Sequence, residues 1–179
     1  MRLTVASSVV FTLLTITTSH VIKRDVRTIL SDFATLNTDL SGFSSAVYSY
    51  GGGLPAALEI QNQENAVERA LDQTAMDTNT TAPFSVADSA TVTEALTALE
   101  PVLRSSIAAL VSKRQPFMSA GVGPAIQNNL RSLKSKTDGL SVALQGKAAG
   151  TDKETIRQGT GDVDDAFDSA IDAYDSPAR

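Results

Sequence analysis

The sequence predicts an all-α fold: about five amphipathic helices in an antiparallel or orthogonal bundle, preceded by a cleaved signal peptide. Three observations carry that expectation. Apolar residues recur at alternating intervals of three and four along most of the chain, the spacing of one helix face. Glycine and proline gather where those stripes stop. No stretch of any length alternates apolar and polar residues as a half-buried strand does.

Residues 1–19 read as an export signal. Arg2 gives a positive start, Val9, Val10, Phe11, Leu13, Leu14 and Ile16 an apolar centre, and Thr17 and Ser19 the small residues a signal peptidase accepts. The run is too short to span a bilayer, which takes about 20 apolar residues, so no transmembrane segment is expected. Residues 20–24 form a short remnant ending in the dibasic pair Lys23-Arg24, a processing site of secretory-pathway proteases. The mature domain is then residues 25–179.

The first helical segment carries Val26, Ile29, Phe33, Leu36, Leu40, Phe43, Val47 and Tyr50 on one stripe, and Gly51-Gly52-Gly53 stops it. Leu54-Pro55 restarts the chain, proline being suited to a first helical turn. The second segment, Pro55 to Met76, is the weakest. Ala57, Ile60, Val67 and Leu71 share a face, but Glu64 and Thr74 fall on the same stripe. It reads as a short solvated helix with its charge at the edge, or as a loosely held flap. Asp77 to Pro83 reads as a loop bearing Asn79-Thr80-Thr81, an acceptor signature for N-linked sugar at Asn79.

Ser85 has the chemistry of an N-cap, with Asp88 favourably placed at the positive end of the next helix. That third segment has Val92, Leu96, Leu99, Leu103, Ile107 and Leu110 as its stripe, a kink expected at Pro101, and Lys113-Arg114 at its end. The fourth starts near Pro116, breaks at Gly121 to Pro124, and continues through Ile126, Leu130, Leu133, Thr137, Leu140 and Leu144 to Gly146–Gly150. The fifth, Asp152 to Tyr174, offers Ile156, Val163, Phe167, Ala170 and Tyr174. Its acidic run, Asp162, Asp164, Asp165, Asp168, Asp172 and Asp175, keeps helical spacing rather than a calcium-loop pattern and reads as a solvated face.

Composition narrows the function. Loss of Arg2, Lys23 and Arg24 leaves 12 basic against 20 acidic residues, about −8 net, a poor match for nucleic acid or anionic membranes. The single histidine, His20, precedes the mature domain, and the chain has no cysteine. Ser-His-Asp and Cys-His nucleophile systems and His/Cys zinc sites are thereby excluded. Paired carboxylates remain the one hydrolytic option, and a small all-α chain without tryptophan is a poor host for a glycosidase. The expectation is a protein that is not an enzyme and needs no cofactor or metal. With no disulfide available, the bundle folds unstapled and opens unstapled.

The stretches APFSVADSATVTEALTALEPVL, IAALVSKRQPF and LRSLKSKTDGLSVAL, between Ala82 and Leu144, resemble the fungal hydrophobic surface-binding protein A family, also described as cell wall galactomannoproteins. DDAFDSAIDAY and the first helix resemble it more weakly. The most specific points are Pro83-Phe84-Ser85, the Lys113-Arg114-Gln115-Pro116-Phe117 hinge and Thr137-Asp138; none is a catalytic motif. The resemblance implies a secreted helical domain that adsorbs to hydrophobic solid surfaces, where it recruits a polyester-degrading, cutinase-like hydrolase, or that holds fatty acids inside the bundle. Unlike some relatives, the sequence ends at Ser176-Pro177-Ala178-Arg179 without a Ser/Thr-rich stalk or apolar tail, so free secretion or loose association with the cell wall is expected rather than a lipid anchor.

The candidate lining for an alkyl guest comes from the stripes: Phe33, Leu36, Leu40, Phe43, Leu96, Leu99, Leu103, Ile107, Leu130, Leu133, Leu140, Leu144 and Phe167. Thr137, Ser106, Tyr50 and Tyr174 lie on or beside apolar faces and are the candidate partners for a polar head group. The competing reading is a structural wall glycoprotein, a spacer or adhesion module with a dry core.

Overall fold

The computed structural model describes the backbone of residues 18–175 and the side chains of residues 26–175. The described residues form six helices and no strand: α1 (Thr18–Tyr48), α2 (Leu54–Thr80), α3 (Val86–Ser112), α4 (Arg114–Ser119), α5 (Gly123–Lys147) and α6 (Asp152–Asp175). Most of the expected leader, and the side chains of Lys23 and Arg24, lie outside the described residues.

The five long helices close a ring. α1 packs on α2, α2 on α5, α5 on α6, α6 on α3 and α3 back on α1. Cross-helix pairs give the directions. Ser44 meets Ser106 and Tyr50 meets Lys113, so α1 and α3 run the same way. Glu68 meets Ser132, and Asp72 meets Lys136, so α2 and α5 are also parallel. Ser141 meets Thr160 while Gln127 reaches Ile171, so α5 and α6 are antiparallel. α2 is the crossover between the parallel α1 and α3, and α3 with the short α4 is the crossover between the parallel α2 and α5.

The joints explain themselves locally. Gly52 and Gly53 have φ of 104° and 90°, values that L side chains avoid, and they turn the chain from α1 into α2. Ser85 caps α3: its Oγ accepts from Asp88 N at 3.1 Å and donates to Asp88 Oδ2 at 2.7 Å. The Pro83-Phe84-Ser85 connection is pinned to the end of α5, with Phe84 N donating to Lys147 O and Lys147 Nζ to Asn79 O and Thr81 O. The Lys113-to-Phe117 hinge is a clasp. Lys113 Nζ donates to Tyr50 O at 3.0 Å, and the buried Phe117 ring stacks on Tyr50 at 4.4 Å.

Three expectations are corrected. α2 is neither short nor solvated: it spans Leu54–Thr80 and buries Ile60, Glu64, Val67, Leu71, Thr74 and Thr78 between α1 and α5. The stripe read as broken by polar residues is continuous, because Glu64 and Thr74 point inward and find partners there. The loop expected at Asp77 to Pro83 is consequently shortened, and Asn79 sits exposed on the last turn of α2. Finally, the acidic face of α6 is partly docked: Lys134 Nζ lies 2.8 Å from Asp164 and 3.7 Å from Asp168, and Gln127 donates to Asp175. Pro101 lies on the exposed side of α3, which continues through it. By length and composition α3 is apolar enough to cross a membrane, unlike the other described helices. In the fold its Val92, Leu99, Ile107 and Leu110 are buried within the ring.

Candidate functional site

Inside the ring all five long helices face a cavity of about 50 Å³. α1 supplies Leu36 and Leu40, α2 Val67 and Leu71, α3 Leu96, Leu99, Glu100 and Leu103, α5 Thr137, Leu140 and Ser141, and α6 Gly159, Thr160 and Val163. Each set lies within one or two turns of its helix, as i, i+3 and i+4 neighbours on one face must. The space exists because this level of the ring holds no aromatic ring. Phe33, Phe43, Tyr50, Phe84, Phe117, Phe167 and Tyr174 are buried elsewhere, while Gly159, Thr137, Ser141, Val67 and Val163 leave room here.

The wall has few polar atoms. The hydroxyls of Ser141 and Thr160 lie 2.5 Å apart, and the Thr160 hydroxyl also donates to Ile156 O at 2.8 Å. Thr137 Oγ1 is buried and unpartnered. Glu100 is the one ionisable side chain on the wall. Burial, then the charge of Asp162, raises its pKa above the ordinary carboxylate value, while Arg104 acts the other way. Gly159 makes room for it: a Cβ there would collide with Glu100 Oε1.

Of the expected lining residues, Leu36, Leu40, Leu96, Leu99, Leu103 and Leu140 meet in this cavity. Phe33, Phe43, Ile107, Leu130, Leu133, Leu144 and Phe167 are packed in the core away from it. Among the head-group candidates only Thr137 lines the space. The other three lie elsewhere. Ser106 Oγ lies 2.7 Å from Ser44 Oγ and donates to Val102 O, Tyr174 Oη donates to Leu110 O at 2.7 Å, and Tyr50 stacks on Phe117 with its hydroxyl buried and unpartnered. Sequence reasoning passed over Val67, Leu71, Glu100, Ser141, Gly159, Thr160 and Val163 as lining. One signal was available: a glycine at position 159 between Ile156 and Val163 marks a close approach on a core stripe.

Farther along the α2–α5 seam a second cavity, about 140 Å³, lies among Leu54, Ala57, Leu58, Ile60, Gln61, Phe117, Val122, Ala125, Ile126 and Asn129. Between the two sits Glu64, 2% exposed, whose carboxyl oxygen accepts from Asn129 Nδ2 and from Gln61 Nε2. Burial, reinforced by the charge of Glu68, pushes its pKa up to about 8, against the lowering effect of Asn129. Glu64 is therefore a neutral acid at neutral pH. Among the described residues no group of three or more His, Cys, Asp or Glu is arranged to hold a metal ion.

Comparison with known proteins agrees with this architecture. The sequence pattern of hydrophobic surface binding protein A matches residues 26–146. Cell wall mannoprotein 1 of Aspergillus flavus is 27% identical over 136 residues, 73% of this chain and 47% of that protein. The Aspergillus fumigatus protein of the same name is 27% identical over 146 residues, 80% of this chain and 50% of that one. The chain thus spans about half the length of these curated relatives. The crystal structure of Afmp4p in complex with palmitic acid is 43% identical, with a TM-score of 0.82, covering 83% of this chain and 99% of that one. Ligand binding domain 1 of the Penicillium marneffei MP1 protein, solved with arachidonic acids, shares the fold at 18% identity and a TM-score of 0.79, over 84% of this chain and 99% of that one. On its sequence pattern, the chain belongs to the hydrophobic surface binding protein A family.

Proposed function

We propose that this chain is an exported, non-enzymatic carrier that holds an alkyl chain between its helices, in the cavity to which all five contribute. The observation that carries the reading is the wall itself: nine aliphatic side chains from five helices, converging on unfilled space with only a few polar side chains among them. The palmitic acid in the 43% identical relative supports it. At about 50 Å³ the space falls short of the roughly 300 Å³ and more of ordinary ligand sites, so uptake requires the helices to part. Two features favour that. No disulfide staples the ring, and an aliphatic core exchanges one set of contacts for another at little loss. Each methylene taken from water returns about 0.8 kcal/mol.

Adsorption to a hydrophobic solid is the second reading, favoured by α3, whose length and composition suit an apolar phase. An opened ring that turns α3 outward uses the same stripes. Secretion, maturation after Arg24, a glycan on the exposed Asn79, loose association with the cell wall and recruitment of a cutinase-like hydrolase to the coated surface belong to this proposal. N-terminal sequencing and glycan mapping of the secreted protein check the processing steps.

The function is tested by native mass spectrometry of the full chain secreted from a fungal host, before and after solvent extraction. A stoichiometric lipid, lost on extraction and restored by added palmitic acid, is expected. Leu96→Trp, at the partly exposed rim of the wall, is expected to remove it. No lipid, no uptake and no depletion by polyester beads would favour the structural wall module instead.

A further inference from the structure

The polar side of the cavity is unusual for a carrier of anions. No lysine or arginine lines it, so a bound carboxylate meets no cation. Glu100 lies there instead, half-buried beside Leu96, Leu99 and Leu103 of its own helix. The opposite helix, α6, carries glycine at 159, and a side chain at that position would occupy the space of Glu100 Oε1. The acid therefore has a built position on the wall. Its charged neighbours are Asp162 on α6 and Arg104 one turn along α3, the latter exposed on the outer surface. α1 and α2 face the cavity with Leu36, Leu40, Val67 and Leu71, and α5 with Thr137, Leu140 and Ser141, none of them ionisable. Ser141 and Thr160 are bonded to each other, leaving Thr137 Oγ1 as the spare hydroxyl.

We infer that Glu100 selects the amphiphile by its head group, accepting a head that donates a hydrogen bond, a protonated carboxylic acid or an alcohol, in preference to a carboxylate anion. A neutral head donates to the Glu100 carboxylate and accepts from Thr137. An anionic head faces a second negative charge in a low-dielectric wall with Asp162 behind it, an arrangement that disfavours ionisation of both. The site then loads fatty acids in acidic surroundings and releases them as the pH rises, while holding long-chain alcohols throughout. This inference rests on the alkyl-carrier reading of the same cavity.

The experiment is displacement of Nile red, a neutral dye, from the full chain by lauric acid and by 1-dodecanol at about pH 4.5 and 7.5, in wild type and in Glu100→Gln. At the higher pH the variant is expected to bind laurate about tenfold more tightly than wild type and dodecanol about threefold more weakly, with both ratios near one at the lower pH. Gly159→Ala, which forces the carboxylate aside, is expected to move laurate binding in the same direction as Glu100→Gln. Identical laurate affinities in all three proteins at pH 7.5, or a change of the same sign for both ligands, overturns the selection by Glu100 while leaving the carrier intact. Failure of both ligands to displace the dye at either pH, or of the dye to bind, overturns the carrier reading itself.

Discussion

Glu64 is where single-residue chemistry reaches furthest into the behaviour of the protein. Its carboxyl is enclosed by α2 and α5, with Asn129 and Gln61 as hydrogen-bond partners and Glu68 one turn away. The pKa rises from an ordinary 4.5 to about 8, so across that window the folded chain binds a proton that the unfolded chain has released. Stability therefore falls as pH rises from about 4.5 to about 8 and then levels off. Asp32, raised to about 6 by burial and by Asp77, adds a decline of the same sign that ends at lower pH. Urea unfolding at about pH 6.5 and 8.5 isolates Glu64. Wild type is expected to lose stability between the two, whereas Glu64→Gln, which keeps the shape and supplies an amide for the buried partners, stays flat. The variant should exceed wild type at the higher pH by roughly 1–3 kcal/mol. Equal slopes in the two proteins would refute the buried, protonated acid. Nothing in the sequence alone distinguishes this glutamate from one at a solvated edge, because its burial depends on Asn129, 65 residues away on α5.

At the scale of elements, α1, α3, α5 and α6 were legible from their stripes, since aliphatic and aromatic residues make up most of each buried face, even where α3 also buries Ser89, Thr93 and Ser106 and α5 buries Ser141. α2 was misjudged in length and burial, because three of its six inward positions are Glu64, Thr74 and Thr78. Polar side chains bury at little cost when satisfied, as when Thr74 Oγ1 donates to Ala70 O at 2.7 Å. α3 has the opposite character: strongly apolar, yet interrupted by Pro101, which removes a backbone donor and leaves the carbonyl of Thr97 without its helical partner. That weak turn adjoins Leu96, Glu100 and Leu103 on the cavity wall, so α3 is the element expected to give when a guest enters. Pro101→Ala restores the bond. It is expected to stabilise the chain by up to about 3 kcal/mol in denaturant unfolding and to slow Nile red uptake in stopped flow. Unchanged uptake in a stabilised variant would move the opening to another helix.

For the whole molecule, the ring explains why so much aliphatic surface surrounds so little space. Each long helix is held by two neighbours, and the aromatic anchors lie at other levels, with the Tyr50–Phe117 stack bracing the α4 hinge. The middle is left to leucine and valine. The candidate site was half legible in the sequence. Stripes identify which faces turn inward, which brought Leu36, Leu40, Leu96, Leu99, Leu103, Leu140 and Thr137 together. They do not identify the level at which five faces fail to fill the centre, because that depends on the register between helices. Phe33, Phe43 and Phe167 share the stripes of the cavity residues and lie above or below them. The most direct measurement of guest uptake is therefore spatial: nuclear Overhauser effects between lauric acid and the methyl groups of the full, methyl-labelled chain. An alkyl guest inside the ring predicts cross-peaks to Leu36, Leu71, Leu99, Leu140 and Val163, one from each of the five long helices. Cross-peaks confined to the exposed Leu54, Leu58, Met76, Val86 and Val142 would contradict it, leaving a bundle that touches lipid only with its outer surface.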